Sequence, residues 1–217
     1  DSTVSIINTT IENNESFKGA GGAVFSHAGQ SSSVTITDDT LHNNIAKNNG
    51  GAVYSNAVNA NSTVSIANTT IENNKSKEGA GGAIFSNAGQ SSDITITDAT
   101  LHNNTAKNNG GAVYSNANNA NSTVTITNTP IEDNKSTEGR GGAVFSNAGQ
   151  SSSVTITDGT LYTNTAKGDS GTVYSNANNA NSTVTITNTP IEENKSTEGR
   201  GGAVFSNAGQ SSSVTIT

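Results

Sequence analysis

Residues 121–150 read NSTVTITNTPIEDNKSTEGRGGAVFSNAGQ, and residues 181–210 repeat them with a single change, Asp133 giving way to Glu193. The same thirty-residue frame extends over the rest of the 217-residue chain. Val4, Val34, Val64, Ile94, Val124, Val154, Val184 and Val214 are spaced by 30, and an isoleucine follows each two places later, from Ile6 to Ile216. Ile or Leu recurs at 11, 41, 71, 101, 131, 161 and 191. Asparagine recurs at Asn14, Asn44, Asn74, Asn104, Asn134, Asn164 and Asn194. Repetition at a fixed period of this length is the signature of a solenoid, in which each unit buries its apolar side only by stacking on its neighbours.

Within a unit, Ser122-Thr123-Val124-Thr125-Ile126-Thr127 alternates apolar with hydroxyl residues, the period-2 pattern of a strand with one buried face. Two further extended segments follow: Thr-Ile-Glu or Thr-Leu-His closed by Asn, and Gly-Ala-Val-Phe-Ser or Gly-Ala-Val-Tyr-Ser. Ser, Asn, Gly and Ala runs between them supply turn chemistry, and no segment has helical periodicity. The Gly-Gly pair falls at 21–22, 50–51, 81–82, 110–111, 141–142 and 201–202, so its spacing alternates between 29 and 31 while the total per turn stays at 30. A residue gained in one loop is returned in the next, as a closed coil requires. The reading is an all-β parallel β-helix of three short strands per rung and about seven rungs. At ~4.8 Å per turn it is about 35 Å long. Residues 1–217 form a single repeat domain, uncapped at both ends, read as a segment of a longer array or a filament subunit that stacks end to end.

Composition excludes other classes. Only 30% of residues are hydrophobic and 4% aromatic, too little apolar volume for a conventional globular core but enough for a narrow one. With 12% charged residues and regular β-branched positions, the chain does not read as disordered. A net charge of −7, with ten Lys and Arg spread along the sequence, argues against a nucleic-acid partner. The absence of Cys removes disulfides and thiolate chemistry, and no apolar run approaches the ~20 residues that insert in a membrane as a helix.

The columns resemble the Gly-Gly-Ala-(Ile/Leu/Val) and Phe-x-x-Asn repeats of polymorphic outer-membrane proteins and adhesin-like surface proteins. The matching residues are Gly-Gly-Ala-Val at 21–24, 50–53, 110–113, 141–144 and 201–204 and Gly-Gly-Ala-Ile at 81–84. With them go Ile11-Glu12-Asn13-Asn14, Leu41-His42-Asn43-Asn44 and their repeats. Two departures stand out: Ile or Leu replaces the aromatic of Phe-x-x-Asn, and the sixth unit has Ser170-Gly171-Thr172-Val173. The resemblance implies a right-handed β-helix displayed at a cell surface or extracellularly and used for adhesion; a glycan or cell-surface partner is the expectation that the aromatic column below adds.

Candidate functional residues follow from the columns. Catalysis needs a constellation that occurs once, and near-identical units supply none, so no enzyme, cofactor or metal site is expected. Gly168-Asp169-Ser170-Gly171 imitates the surroundings of a serine nucleophile but aligns with plain turns of other units. Asp38, Asp98 and Asp158 recur on every second rung, about 9.6 Å apart, too far to share a metal. The Asn14 column reads as an amide ladder that satisfies turn backbone, with Asn itself suited to left-handed turn geometry. Position 12 alternates Glu12, His42, Glu72, His102, Glu132, Tyr162 and Glu192, which avoids stacking like charges. Outward pairs Thr35/Thr37, Thr95/Thr97, Thr125/Thr127, Thr155/Thr157 and Thr185/Thr187 form a two-row array similar to ice-binding faces of insect antifreeze solenoids, interrupted at Ser5/Ile7 and Ser65/Ala67. Phe25, Tyr54, Phe85, Tyr114, Phe145, Tyr174 and Phe205 share one column, an external contact strip if Val24 and its equivalents point inward, or a packed column otherwise. The leading reading is a non-catalytic structural and adhesive fibre module; the alternative is an ice-binding solenoid.

Overall fold

A computed structural model describes all of residues 1–217 as a parallel β-solenoid of about seven turns without a helix. The six-residue alternating segment forms an eight-stranded sheet whose strands include Ser2–Ile7, Ser62–Ala67 and Ser122–Thr127. The Thr-Ile-Glu segments, such as Thr70–Glu72, form a seven-stranded second sheet, and the segments that follow Gly-Gly-Ala, such as Val144–Ala148, form another. A fourth ladder, of two-residue strands such as Lys75–Ser76 and Lys135–Ser136, runs between these last two. Two residues are too few to show alternation, so the sequence pattern discloses three strands per rung and not this ladder.

Every strand pairs with its equivalent one turn away. Val124 lies between Ile94 and Val154, and Leu101 pairs with Ile71. In the sheet that follows the glycines, Phe85 pairs with Tyr54 and Tyr114, offsets of 31 and 29, while the eight-stranded sheet holds an offset of 30 throughout. The alternating loop lengths are therefore absorbed between strands, and like still sits on like.

The alternating pattern of the first sheet becomes alternating burial: in Ser122–Thr127 every second side chain is buried and the others half-exposed. Val124, Ile126 and Ile131 are fully buried and meet Ala112 and Val113 in one continuous apolar column of 28 residues. Val53, Val113 and Val144 belong to that column, so the aromatics that follow them point to the other face of their sheet. No pocket opens along the rod.

Besides the glycine pair, two left-handed corners per turn bend the chain. They fall at the column of Asn8, Asp38, Asn68 and Asp98 and at the column of Asn13, Asn43, Asn73 and Asn103, with φ between 47° and 59°. Short Asn and Asp side chains tolerate this region best. The expectation that the Asn14 column takes this geometry is corrected: the residue before it does, and that turn is what aims Asn14 inward. Glycine is needed at the pair for two reasons. Gly110 has φ 67°, and at Gly111 a Cβ would sit 1.8 Å from the Gly142 carbonyl oxygen of the next turn.

Candidate functional surfaces

The amide column is internal. Asn74 donates its backbone N–H and its Nδ2 to Asn104 Oδ1, both at 3.1 Å, and donates Nδ2 again to the Leu41 carbonyl of the preceding turn at 2.9 Å. Asn104 repeats this toward Asn134 and Ile71, and Asn134 toward Asn164 and Leu101. From Asn44 to Asn164 these residues have no exposed surface, and each amide has both of its donor hydrogens and its oxygen engaged. A buried polar group satisfied this completely holds register, because a slip of one residue would orphan all of its bonds.

A second buried polar column was not anticipated. Ser26, Ser32, Ser55, Ser62, Ser86 and Ser92 bond hydroxyl to hydroxyl at 2.7–2.9 Å. The chain continues through Ser115, Ser122, Ser146, Ser152, Ser175 and Ser182 to Ser206 at 2.8–2.9 Å. It seals the corner where the first and last sheets meet. The signal lay in the sequence: Ser32 alternates with Val34, and Ser26 with Val24, on the inward side of their strands. Serine between turns reads as solvated, which hides the inward phase of these residues.

Outside the last sheet, the aromatics stack face to face, with centroids 4.8–5.4 Å apart from Phe25 to Phe205 and interplanar angles of 1–16°. Outward orientation does not leave the rings open: Phe25 at the first turn is 57% exposed, but Phe85, Phe145 and Tyr174 are 8%, 6% and 4% exposed. The ring faces are used by one another, and Arg140 and Arg200 cover Tyr174 and Phe205 at 5.3 and 5.0 Å from the centroids. Burial pushes the Tyr114 phenol up to about 12 and raises Tyr54 and Tyr174 as well. Next to this ladder runs an outer amide row: Asn87, Asn116, Asn147, Asn176 and Asn207 each donate Nδ2 to the Oδ1 of the Asn one turn before, at 2.6–2.7 Å.

The Thr pairs stand outward on the first sheet. Thr125 and Thr127 pair in register with Thr95 and Thr97 on one side and Thr155 and Thr157 on the other, and Thr185 and Thr187 continue the rows. Thr35 and Thr37 are separated from Thr95 and Thr97 by Ser65 and Ala67. In the position-12 column, His42 lies 3.8 Å from Glu72, and Asn73 bonds its ring at 3.1 Å. Ser170 takes the φ of the glycine it replaces and bonds the Val173 and Ala203 carbonyls at 2.5 and 2.6 Å, which occupies its hydroxyl inside a turn.

Charge is sorted by column. Lys18, Lys47, Lys75, Lys77, Lys107, Lys135, Arg140, Lys167, Lys195 and Arg200 are all ten cations of the chain, and all lie on the two-residue strands or the turn that follows them. Five carboxylates share that strip, Glu15, Glu78, Glu138, Asp169 and Glu198, leaving it at +5; the other twelve of the seventeen carboxylates lie elsewhere, and the two together give −7. The cations spread along the sequence are therefore concentrated in space, a correction to the reading from net charge. Lys47, Lys107 and Lys167 pair with Glu78, Glu138 and Glu198 at 3.7–3.9 Å, and Arg140 and Arg200 share Asp169 at 3.4 and 3.6 Å.

With these columns in place, the sequence matches the family model of the Chlamydia polymorphic membrane protein repeat at residues 68–87 and 98–116. These two segments are similar to that repeat. The matched segments run through the Asn14-type corner into the Gly-Gly-Ala turn and the aromatic strand, the parts of the unit that carry both ladders. Solenoids of this repeat type are in general structural and adhesin-like, and the proteins that carry them are outer-membrane and surface proteins. Neither curated proteins nor solved structures yielded a match to the chain.

Proposed function

We propose that this chain is a non-catalytic, extracellular stalk segment that presents repeated surface columns for adhesion at a cell surface. The observation that carries the reading is the coincidence of the repeat match with a rod whose every side is a ladder: amide and serine columns inside, threonine, aromatic and charged columns outside. Such a rod is stiff along its axis because each turn is tied to the next by strand pairing and by both internal polar columns. Binding by an array is the natural use of it, since weak contacts repeated at a fixed spacing add through effective concentration. The partner it fits is a glycan or protein display on another surface. Stacking of copies end to end belongs to the same proposal, because one turn's strand edges are complementary to those of any other turn.

The test is adherence of beads coated with the folded chain to cultured cells and glycan-coated surfaces. At least tenfold more adherence than with beads carrying the heat-unfolded chain is expected; equal adherence contradicts the proposal. The in-register Thr rows favour ice binding as the second reading, and thermal hysteresis with ice shaping by the soluble chain, without adherence, would replace the first by it.

A further inference from the structure

Two rows of opposite charge flank the corner at which the Asn14-type residues turn inward. Glu72, Glu132 and Glu192 end the second sheet's strands on the face opposite the inward Ile, and Lys75, Lys135 and Lys195, all exposed, open the strands of the two-residue ladder. Both rows repeat every sixty residues, two turns, so both have a pitch of about 9.6 Å; at the first turn Glu12 heads the glutamate row and Glu15 stands at the position of the lysines. None of the three lysines has an ion-pair partner within the rod, and of the three glutamates only Glu72 has one, with His42.

We infer that this corner is a lateral docking surface for a second copy of the same chain. When two parallel rods are related by a two-fold axis running along them, the rotation exchanges the sides of the corner. The glutamate row of each copy then faces the lysine row of the other, and the common pitch keeps the pairs of Glu72, Glu132 and Glu192 with Lys75, Lys135 and Lys195 in step, with Glu12 against Glu15 the one like-charge pair. The interface is self-complementary, as a two-fold contact must be. An antiparallel arrangement would set Glu against Glu and Lys against Lys. A polyanion laid on the lysines would run beside the glutamates and be repelled by them, whereas a second copy satisfies both rows at once. The net charge of −7 does not prevent the approach, because at about 0.1 M salt the Debye length is about 10 Å and only the facing rows interact strongly.

The experiment combines sedimentation equilibrium with small-angle scattering of the whole chain and two charge-reversed variants. One carries Lys75→Glu, Lys135→Glu and Lys195→Glu; the other carries Glu72→Lys, Glu132→Lys and Glu192→Lys. The unaltered chain is expected to form a dimer of enlarged cross-section at about 0.1 M salt and to dissociate at about 1 M. Each variant alone, with circular dichroism unchanged, should associate at least tenfold more weakly, and an equimolar mixture of the two should dimerise again. A single-rod cross-section for the unaltered chain at about 0.1 M, or failure of two folded variants to associate when mixed, overturns the inference. Mass growth at constant cross-section also overturns it and leaves the end-to-end stacking intact.

Discussion

At Thr172 the sixth unit departs from alanine, the residue at Ala23, Ala52, Ala83, Ala112, Ala143 and Ala203 in the other turns. Its side chain is fully buried and its Oγ1 is the one buried side-chain polar atom without a hydrogen-bond partner. A hydroxyl taken from water and given nothing in return costs on the order of 1–3 kcal/mol. Thr172→Ala is therefore expected to stabilise the chain by about 1–2 kcal/mol, read as a higher urea midpoint, and Ala143→Thr to lower it. An unchanged or lower midpoint for Thr172→Ala contradicts the inward placement of this column. Ser170 beside it shows a departure that is accommodated, since its hydroxyl finds two carbonyls at a φ of 64°. At this scale the sequence was readable wherever a side chain had one physical use. The Asn14 column was anticipated as a ladder because a repeated amide in a turn has little else to do. The serine columns are harder to read because serine serves equally well in water, and only their phase relative to Val34 and Val24 reveals that they face inward.

The strand after Gly-Gly-Ala illustrates what an element adds to its residues. Alternation gave two opposite faces for valine and aromatic but could not say which lay inward, and the outcome is neither a free strip nor a core column: the rings point out and bury one another. Stacking at the strand spacing brings flat rings close to van der Waals contact, so one continuous stack costs little strain and excludes water from its own faces. The stack has a titration consequence. Burial raises Tyr54, Tyr114 and Tyr174 above the ordinary 10, Tyr114 to about 12, and the Glu193 carboxylate beside Tyr162 raises that phenol. A phenol whose value is higher in the folded state binds its proton more tightly there, so folding stability is at its full level below pH 10 and falls as pH climbs toward 12. Absorbance at the tyrosinate band should thus lag the unfolded chain's, with loss of structure accompanying ionisation; a titration of all four phenols at 10 in the folded chain contradicts the sealed ladder. The two-residue strands teach a related point: they exist because their neighbours fix both ends, and an isolated pair of residues carries no pattern to read.

For the molecule as a whole, thirty-residue closure was legible because the chain states it eight times, and because the 29 and 31 spacings of the glycine pair cancel. Charge was legible only after superposition: Lys75, Lys135 and Lys195 look scattered along a line and become a row once turns are stacked. Stability in such a rod is the sum of each turn and its contacts with the next, so every column matters locally and none is a single keystone. The central claim is the stacking of equivalent positions along one axis. Nitroxide labels on cysteines introduced at the outward column of Ser33, Asp93, Ser153 and Ser213 measure it by electron–electron resonance. Pairs at 33/153 and 93/213, four turns apart, should give narrow distributions near ~19 Å, and 33/213, six turns apart, near ~29 Å, a straight line at ~4.8 Å per turn. Broad distributions, or distances that do not grow in proportion to the number of turns, would contradict the solenoid.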